Sequence, residues 1–217
     1  MIKVILWDID ATILDFLAAE EAAIRFCFRK HGLGECSDEM LKLYSGINTK
    51  YWQMLEKGEL TKQEILVGRF REFFEKIGVD VTIAEQFNLD YQITLGDHIE
   101  FVENAEEILH WQKGKYTLVA VTNGTKIAQE KKLRLSGLDN VFDAIFISEN
   151  VGAEKPNKEY FDYVFEKLGI TDKSGTNYIL NPYMAFKSKN SDIINKLSIM
   201  KNIHYQLKQI FLKQIMY

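Results

Sequence analysis

Asp8 and Asp10 stand two residues apart, directly after the short apolar run from Ile2 to Trp7. Two carboxylates at one strand end can share a site, one as nucleophile and the other as general acid and base. A carboxylate nucleophile suits phosphoryl transfer, because an aspartyl phosphate is a labile anhydride that water then hydrolyses. Further along, Thr122-Asn123-Gly124 follows a second apolar run, and Lys155-Pro156 lies just beyond a third. A hydroxyl such as Thr122 and a cation such as Lys155 can hold the equatorial oxygens of a phosphoryl group. Paired acids also favour a divalent cation, which offsets their repulsion and the phosphate charge. Singly, each piece is an ordinary turn or helix start. Together, in this order and each after an apolar strand, they point to one site.

In an open parallel sheet, reactive groups gather beyond the carboxyl ends of strands. The apolar runs at 2–7, 116–121 and 144–148 read as buried strands, and 177–180 reads as one more. Between them, 101–112, 126–135 and 157–168 carry helical patterns, with Gly137 ending the second and Pro156 suited to the first position of the third. Alternating strands and helices imply βαβ units and a parallel sheet. From residue 18 to about 95 the patterns are only helical. Residues 19–30 interleave acids with Ile24, Phe26 and Phe28. Thr61-Lys62-Gln63-Glu64 is a capping box opening a helix that carries Ile65, Leu66, Phe70, Phe73, Phe74 and Ile77 and ends at Gly78. Residues 83–95 are a further helix. This block is too long for a crossover and reads as an insertion. The expected fold is α/β: a Rossmann-like three-layer parallel-sheet core at 1–15 and 96–180, an all-helical cap at 16–95, and an atypical tail at 181–217. The cap is expected to close over the site, exclude water and select the leaving group.

Composition narrows the classes. The chain has 217 residues, 47% hydrophobic, with 13 Gly and 2 Pro, which excludes disordered and fibrous chains. No stretch of about 18 uncharged apolar residues exists to span a membrane, and the acid at Asp8 interrupts any secretory leader. Cys27 and Cys36 are too few for a disulfide framework or a four-ligand zinc site, and read as ordinary thiols in a reducing cytoplasm. His31, His98, His110 and His204 have no ligand spacing. Tyr51-Trp52 and Phe70-Arg71 could stack on a base or bind a substrate phosphate, although aromatics at helical spacing are more often core. The formal net charge of −4 is uneven: residues 1–173 are net −9, and 174–217 are net +5 with no glycine after Gly175.

Asp8-Ile9-Asp10-Ala11-Thr12, Thr122-Asn123-Gly124 and Lys155-Pro156 resemble the first three signature motifs of the haloacid dehalogenase-like (HAD) hydrolase superfamily. The helical insert resembles that superfamily's cap of the first type. Several stretches are similar to its pyrimidine 5′-nucleotidase branch: residues 8–21, Leu60 to Glu64 with Gly68-Arg69-Phe70, Val121 to Gly124, and Val141-Phe142 through Phe146 to Glu149 and on to Lys155-Pro156. The likeness runs over about residues 1–172. It implies that Asp8 attacks phosphorus, and that Asp10 protonates the leaving alkoxide and then activates water. It further implies that Thr12, Thr122, Lys155 and the Asn123 backbone N–H bind phosphate. Magnesium would sit on the Asp8 carboxylate and the Asp10 main-chain carbonyl. The superfamily's dehalogenases lack an acid at the position of Asp10, so phosphate is expected over halide. The expected partner is a small phosphorylated metabolite, a (pyrimidine) nucleoside 5′-monophosphate by this resemblance. The alternative is a sugar phosphate, with phosphatase or phosphomutase chemistry. No nucleic acid or membrane partner is expected, and the chain is expected to be a monomer or homodimer in the cytoplasm.

The fourth motif departs from the pattern. Family members carry a Gly-Asp-Ser-type strand end, another Asp and paired glycines. Here Asn177-Tyr178-Ile179-Leu180 runs into Asn181-Pro182-Tyr183-Met184. The later Ser191-Asp192 is about ten residues too far along, so Asp192 is only a distant candidate for the missing metal ligand. Two readings account for this. A frame change near codon 175 fits the Lys-, Asn- and Ile-rich tail and is the favoured one. A divergent segment also fits, since Ile193, Leu197, Met200, Ile203, Leu207, Ile210 and Gln214 have helical spacing, as in a basic amphipathic helix. Loss of the fourth-motif carboxylates would leave an impaired or vestigial enzyme.

Overall fold

The computed structural model describes residues 3–173 and 176–179. Asp192 and the 181–217 tail lie outside the described residues. The chain divides into two compact units. One is Met1–Leu14, Phe101–Asn123 and Leu138–Tyr217; the other is Asp15–Glu100 and Gly124–Gly137.

The first unit holds a parallel α/β sheet of Rossmann-like type, with strands β1 (Val4–Trp7), β2 (Thr117–Thr122), β3 (Ala144–Ile147) and β4 (Thr176–Ile179). Their order is β3-β2-β1-β4, and every pairing is parallel. The register runs Trp7↔Ala120 and Trp7↔Ile179 across β1, and Thr122↔Ile147 between β2 and β3. A parallel sheet covered on its faces demands near-continuous apolar strands, which is why Ile5-Leu6-Trp7 and Leu118 to Val121 are all buried. Leu6, Val119 and Val121 pack with Tyr160, Phe161, Val164 and Phe165 of helix α8 (Lys158–Lys167). The Trp7 indole N–H donates to Gln112 Oε1 at 3.0 Å, which satisfies the buried ring against the end of helix α5 (Ala105–Gln112).

The second unit is helical: α1 (Phe16–Lys30), α2 (Asp38–Glu56), α3 (Lys62–Ile77), α4 (Ala84–Leu95) and α6 (Lys126–Leu135). Local signals set its helix ends. Asp15 accepts the Ala18 N–H at 3.0 Å and Ser37 accepts the Met40 N–H at 3.3 Å. The capping box at Thr61 is present in both directions, at 3.3 Å and 2.8 Å, and Gly78 stops α3 in the left-handed region at φ 71°. Phe28, Tyr44, Phe70, Phe73, Phe74, Phe87 and Tyr91 form one buried aromatic cluster. Losing any one such ring would cost about 3–5 kcal/mol.

Three local expectations are corrected. The helix expected at 101–112 begins only at Ala105. Its first residues are held by bridge pairing of Leu14 with Phe101 and by the Val102 N–H on the Ile13 carbonyl, and Asn104 takes φ 63°, which no helix admits. Pro156 is not the first residue of α8. The Asn157 N–H closes a turn on the Glu154 carbonyl at 2.9 Å, and Asn157 itself is the N-cap. The strand expected at 144–148 ends at Ile147, and Ser148 opens a single-turn helix, α7 (Ser148–Val151).

Candidate active site

The site grows from the carboxyl ends of β1 and β2 and from the turn before α8. The apolar run of β1 ends at Asp8, itself buried. The chain then folds back sharply. Ala11 adopts φ 58°, and the N–H groups of Thr12, Ile13 and Leu14 converge on the Ile9 carbonyl at 3.3, 2.9 and 3.0 Å. The Ala11 N–H closes the loop on the Leu14 carbonyl at 2.8 Å. This turn carries the Thr12 hydroxyl back to donate to Asp8 Oδ2 at 3.1 Å. Asp10 sits within the same loop, half-buried.

The other Asp8 oxygen is met by a cation. Lys155 is 1% exposed, and its ammonium donates to Asp8 Oδ1 at 2.6 Å and to the Val121 carbonyl at 2.7 Å. A buried charge requires such a partner, since desolvation of an isolated ammonium costs several kcal/mol. The Asn123 amide pairs with the Lys155 main chain in both directions: Nδ2 donates to the Lys155 carbonyl and Oδ1 accepts the Lys155 N–H, each at 2.8 Å. Thr122 ends β2 and is buried between Val121 and Asn123 in sequence.

Asp8, Thr12, Asn123 and Lys155 are therefore joined by direct hydrogen bonds, although 147 positions separate Asp8 from Lys155 in sequence. Asp10 lies in the loop that follows β1, and Thr122 is the last residue of β2. Sequence reasoning misses two participants. The Val121 carbonyl carries no sequence signal, and the Asn123 side chain grips Lys155 where the motif gives a role only to its backbone N–H. Nearby, the Tyr160 hydroxyl donates to the Phe146 carbonyl at 2.7 Å. Burial and, next, the Asp8 charge push its phenol well above the usual range.

Other candidates fall to structural roles. Burial pushes the thiols of Cys27 and Cys36 up to about 11, so neither is a ready nucleophile at neutral pH. His31 and Lys30 both reach Asp90, at 2.9 and 2.7 Å. Phe70 is fully buried in the aromatic cluster, Tyr51 and Trp52 are half-buried, and Arg71 pairs with Glu85 at 3.0 Å. Among the described residues no group of three or more His, Cys, Asp or Glu could cage a metal ion. Among them also, no helix is long and apolar enough to cross a membrane.

The sequence model of the haloacid dehalogenase-like hydrolases matches residues 5–179. YfnB of Bacillus subtilis (strain 168), named as a HAD-hydrolase, is 36% identical over 168 residues, covering 76% of this chain and 70% of that protein. A crystal structure of YfnB bound to magnesium aligns with a TM-score of 0.76 at 32% identity, covering 82% of this chain and 78% of that one. The pyrimidine 5′-nucleotidase PynA of Streptococcus pneumoniae is 29% identical over 178 residues, 80% of this chain and 73% of PynA. The strand-end cluster built on Asp8 and Lys155 thus lies inside a matched span that takes in most of the sequence, and the chain belongs to the haloacid dehalogenase-like hydrolase family as an enzyme of that type.

Proposed function

We propose that the chain hydrolyses phosphomonoesters through an aspartyl-phosphate, with a pyrimidine nucleoside 5′-monophosphate as substrate. The observation that carries this reading is the buried Lys155–Asp8 pair at 2.6 Å, beside the ends of the paired strands β1, which Asp10 follows, and β2, which Thr122 closes. Asp8 attacks phosphorus in line with the ester oxygen. The P–O ester bond breaks as the Asp8–phosphorus bond forms, and Asp10 gives its proton to the departing alkoxide. Asp10 then takes a proton from the water that cleaves the acyl phosphate and frees Asp8. Lys155 and Thr122 offset the charge on the equatorial oxygens. The similarity to PynA supports the nucleotide as substrate.

The Asp8 carboxylate and the Asp10 main-chain carbonyl offer hard oxygen donors suited to magnesium, which needs only one or two protein carboxylates when water and substrate phosphate complete its shell. Bound there, magnesium would neutralise phosphate charge and orient the phosphoryl group. The experiment is phosphate release from dUMP, dTMP, purine nucleotides and sugar phosphates, with and without magnesium, for the chain and for Asp8→Asn. Magnesium-dependent release that Asp8→Asn abolishes is expected, with pyrimidine nucleotides preferred. Release that survives Asp8→Asn, or none from any substrate, refutes the proposal.

One observation favours a second reading, an impaired enzyme. In register β4 ends beside β1, at Trp7↔Ile179. The residues that follow Ile179 in sequence, Leu180-Asn181-Pro182-Tyr183-Met184, contain no carboxylate. The predicted sign of this reading is magnesium affinity weakened by about 10–100-fold relative to YfnB. The coding DNA separates its origins: a Gly-Asp-Ser stretch in another frame after codon 175 supports a frame change, and its absence refutes one.

A further inference from the structure

Lys155 stands between α7 and α8, in the turn closed by Asn157 on Glu154, so its backbone N–H and carbonyl belong to no helix or strand ladder. Buried backbone groups need partners, and a single side chain supplies both. The Asn123 amide donates to the Lys155 carbonyl and accepts from the Lys155 N–H, at 2.8 Å each. We propose that Asn123 is a positioning residue for Lys155, fixing the root of that side chain so that its ammonium meets Asp8. The inference rests on the phosphohydrolase reading and adds to it the residue that sets the cation.

The reason lies in the geometry. A lysine is a point charge on a flexible four-carbon stem, so where its tip rests depends on what holds its root. Here the end of β2 holds both. Asn123 grips the main chain of Lys155, and the Val121 carbonyl, two residues earlier, accepts from its ammonium at 2.7 Å. The remaining hydrogen bond reaches Asp8 Oδ1 at 2.6 Å. Two antiparallel hydrogen bonds from one planar amide fix rotation as well as translation. Aspartate could accept from the Lys155 N–H but could not donate to its carbonyl, and alanine could do neither.

The test is a double-mutant cycle on p-nitrophenyl phosphate with magnesium, using Asn123→Ala, Asn123→Asp, Lys155→Met and the two combinations. Calorimetric affinity for inorganic phosphate and thermal melts by circular dichroism are measured alongside. Each Asn123 substitution is expected to lower kcat/KM by about 100-fold, the usual effect of a displacement near 1 Å at a reacting centre. In the Lys155→Met background the same substitutions should cost less than about threefold, because the group they act through is gone. Phosphate affinity should show the same non-additivity. An equal loss in both backgrounds overturns the proposal and assigns Asn123 an effect independent of Lys155. If Asn123→Ala does not fold, Asn123→Asp, which keeps the volume and the acceptor, carries the cycle. A chain that binds phosphate without turnover refutes the phosphohydrolase reading, and the cycle on phosphate affinity still decides the role of Asn123. A chain that neither turns over nor binds phosphate overturns both.

Discussion

Lys155→Met removes the charge of the most buried cation of the site while keeping a side chain of similar length. It leaves the Asp8 carboxylate, itself buried, without the ammonium 2.6 Å away. Removing one partner of a buried ion pair costs about 3–5 kcal/mol, because the remaining charge keeps its desolvation penalty without its compensation. For a chain of this size each kcal/mol lowers Tm by about 2–4 °C, so the variant should melt about 6–20 °C lower. Asp8→Asn alone should also destabilise, since it leaves the buried ammonium with neutral acceptors and no counter-charge. The double variant Asp8→Asn with Lys155→Met should recover most of the loss, as neutral replacements of buried pairs commonly do. Urea titrations of the four proteins at pH 7 give the coupling energy directly. If Lys155→Met lies within about 1 kcal/mol of the parent, or if the double variant loses the sum of both singles, the pair is not an interdependent buried unit and the reasoning is wrong.

Three other predictions concern the helical unit. Glu20 is buried, accepting from Asn48 at 2.6 Å and from Ser45, and Asn48 in turn accepts from Arg69 at 2.6 Å. Burial raises its pKa above the ordinary 4.5, against the opposing hydrogen bonds and the Arg69 charge. A raised folded-state value means that its contribution is fully present below the unfolded pKa and is lost as pH rises through the folded one. The stability advantage of the parent over Glu20→Gln should therefore shrink as pH climbs from 4.5 through that window; urea titrations showing it grow would contradict the sign. Gly124→Ala would set a Cβ 2.2 Å from Gln129 Nε2, a side chain only 1% exposed. Overpacking of this kind should cost about 1–3 kcal/mol, and a cost below about 0.5 by denaturant titration would show that Gln129 yields freely. Thr61→Ala removes one arm of the α3 capping box and should cost about 1 kcal/mol, read from the same titration, whereas Thr61→Ser should be nearly neutral.

Much of the fold is legible in the sequence because its signals are local. The apolar runs ending at Trp7, Val121 and Ile147 carry the continuous pattern that a doubly covered parallel strand requires. Thr61 with Glu64, and then Gly78, mark α3 by hydrogen bonds spanning three or four residues. The extent of α5 is not legible. Residues 101–104 are periodic enough for a helix, but pairing with Ile13 and Leu14, nearly ninety positions away, holds them elsewhere. The start of α8 is obscured for a similar reason: Pro156 suits a first helical position, yet the 154–157 turn uses it before the cap.

The candidate site divides along the same line. The sequence by itself determined which chemical groups are available, because each of Asp8, Asp10, Thr122 and Lys155 follows an apolar run whose strand character is written in its own residues. Only the tertiary structure decided their mutual geometry. The central position of β1, the two hydrogen bonds between Asn123 and Lys155, one donated by each, and the service of the Val121 carbonyl to the Lys155 ammonium all arise between residues more than thirty positions apart. Such contacts form only when the buried faces of the strands and helices are satisfied together, and no short window of sequence holds both partners.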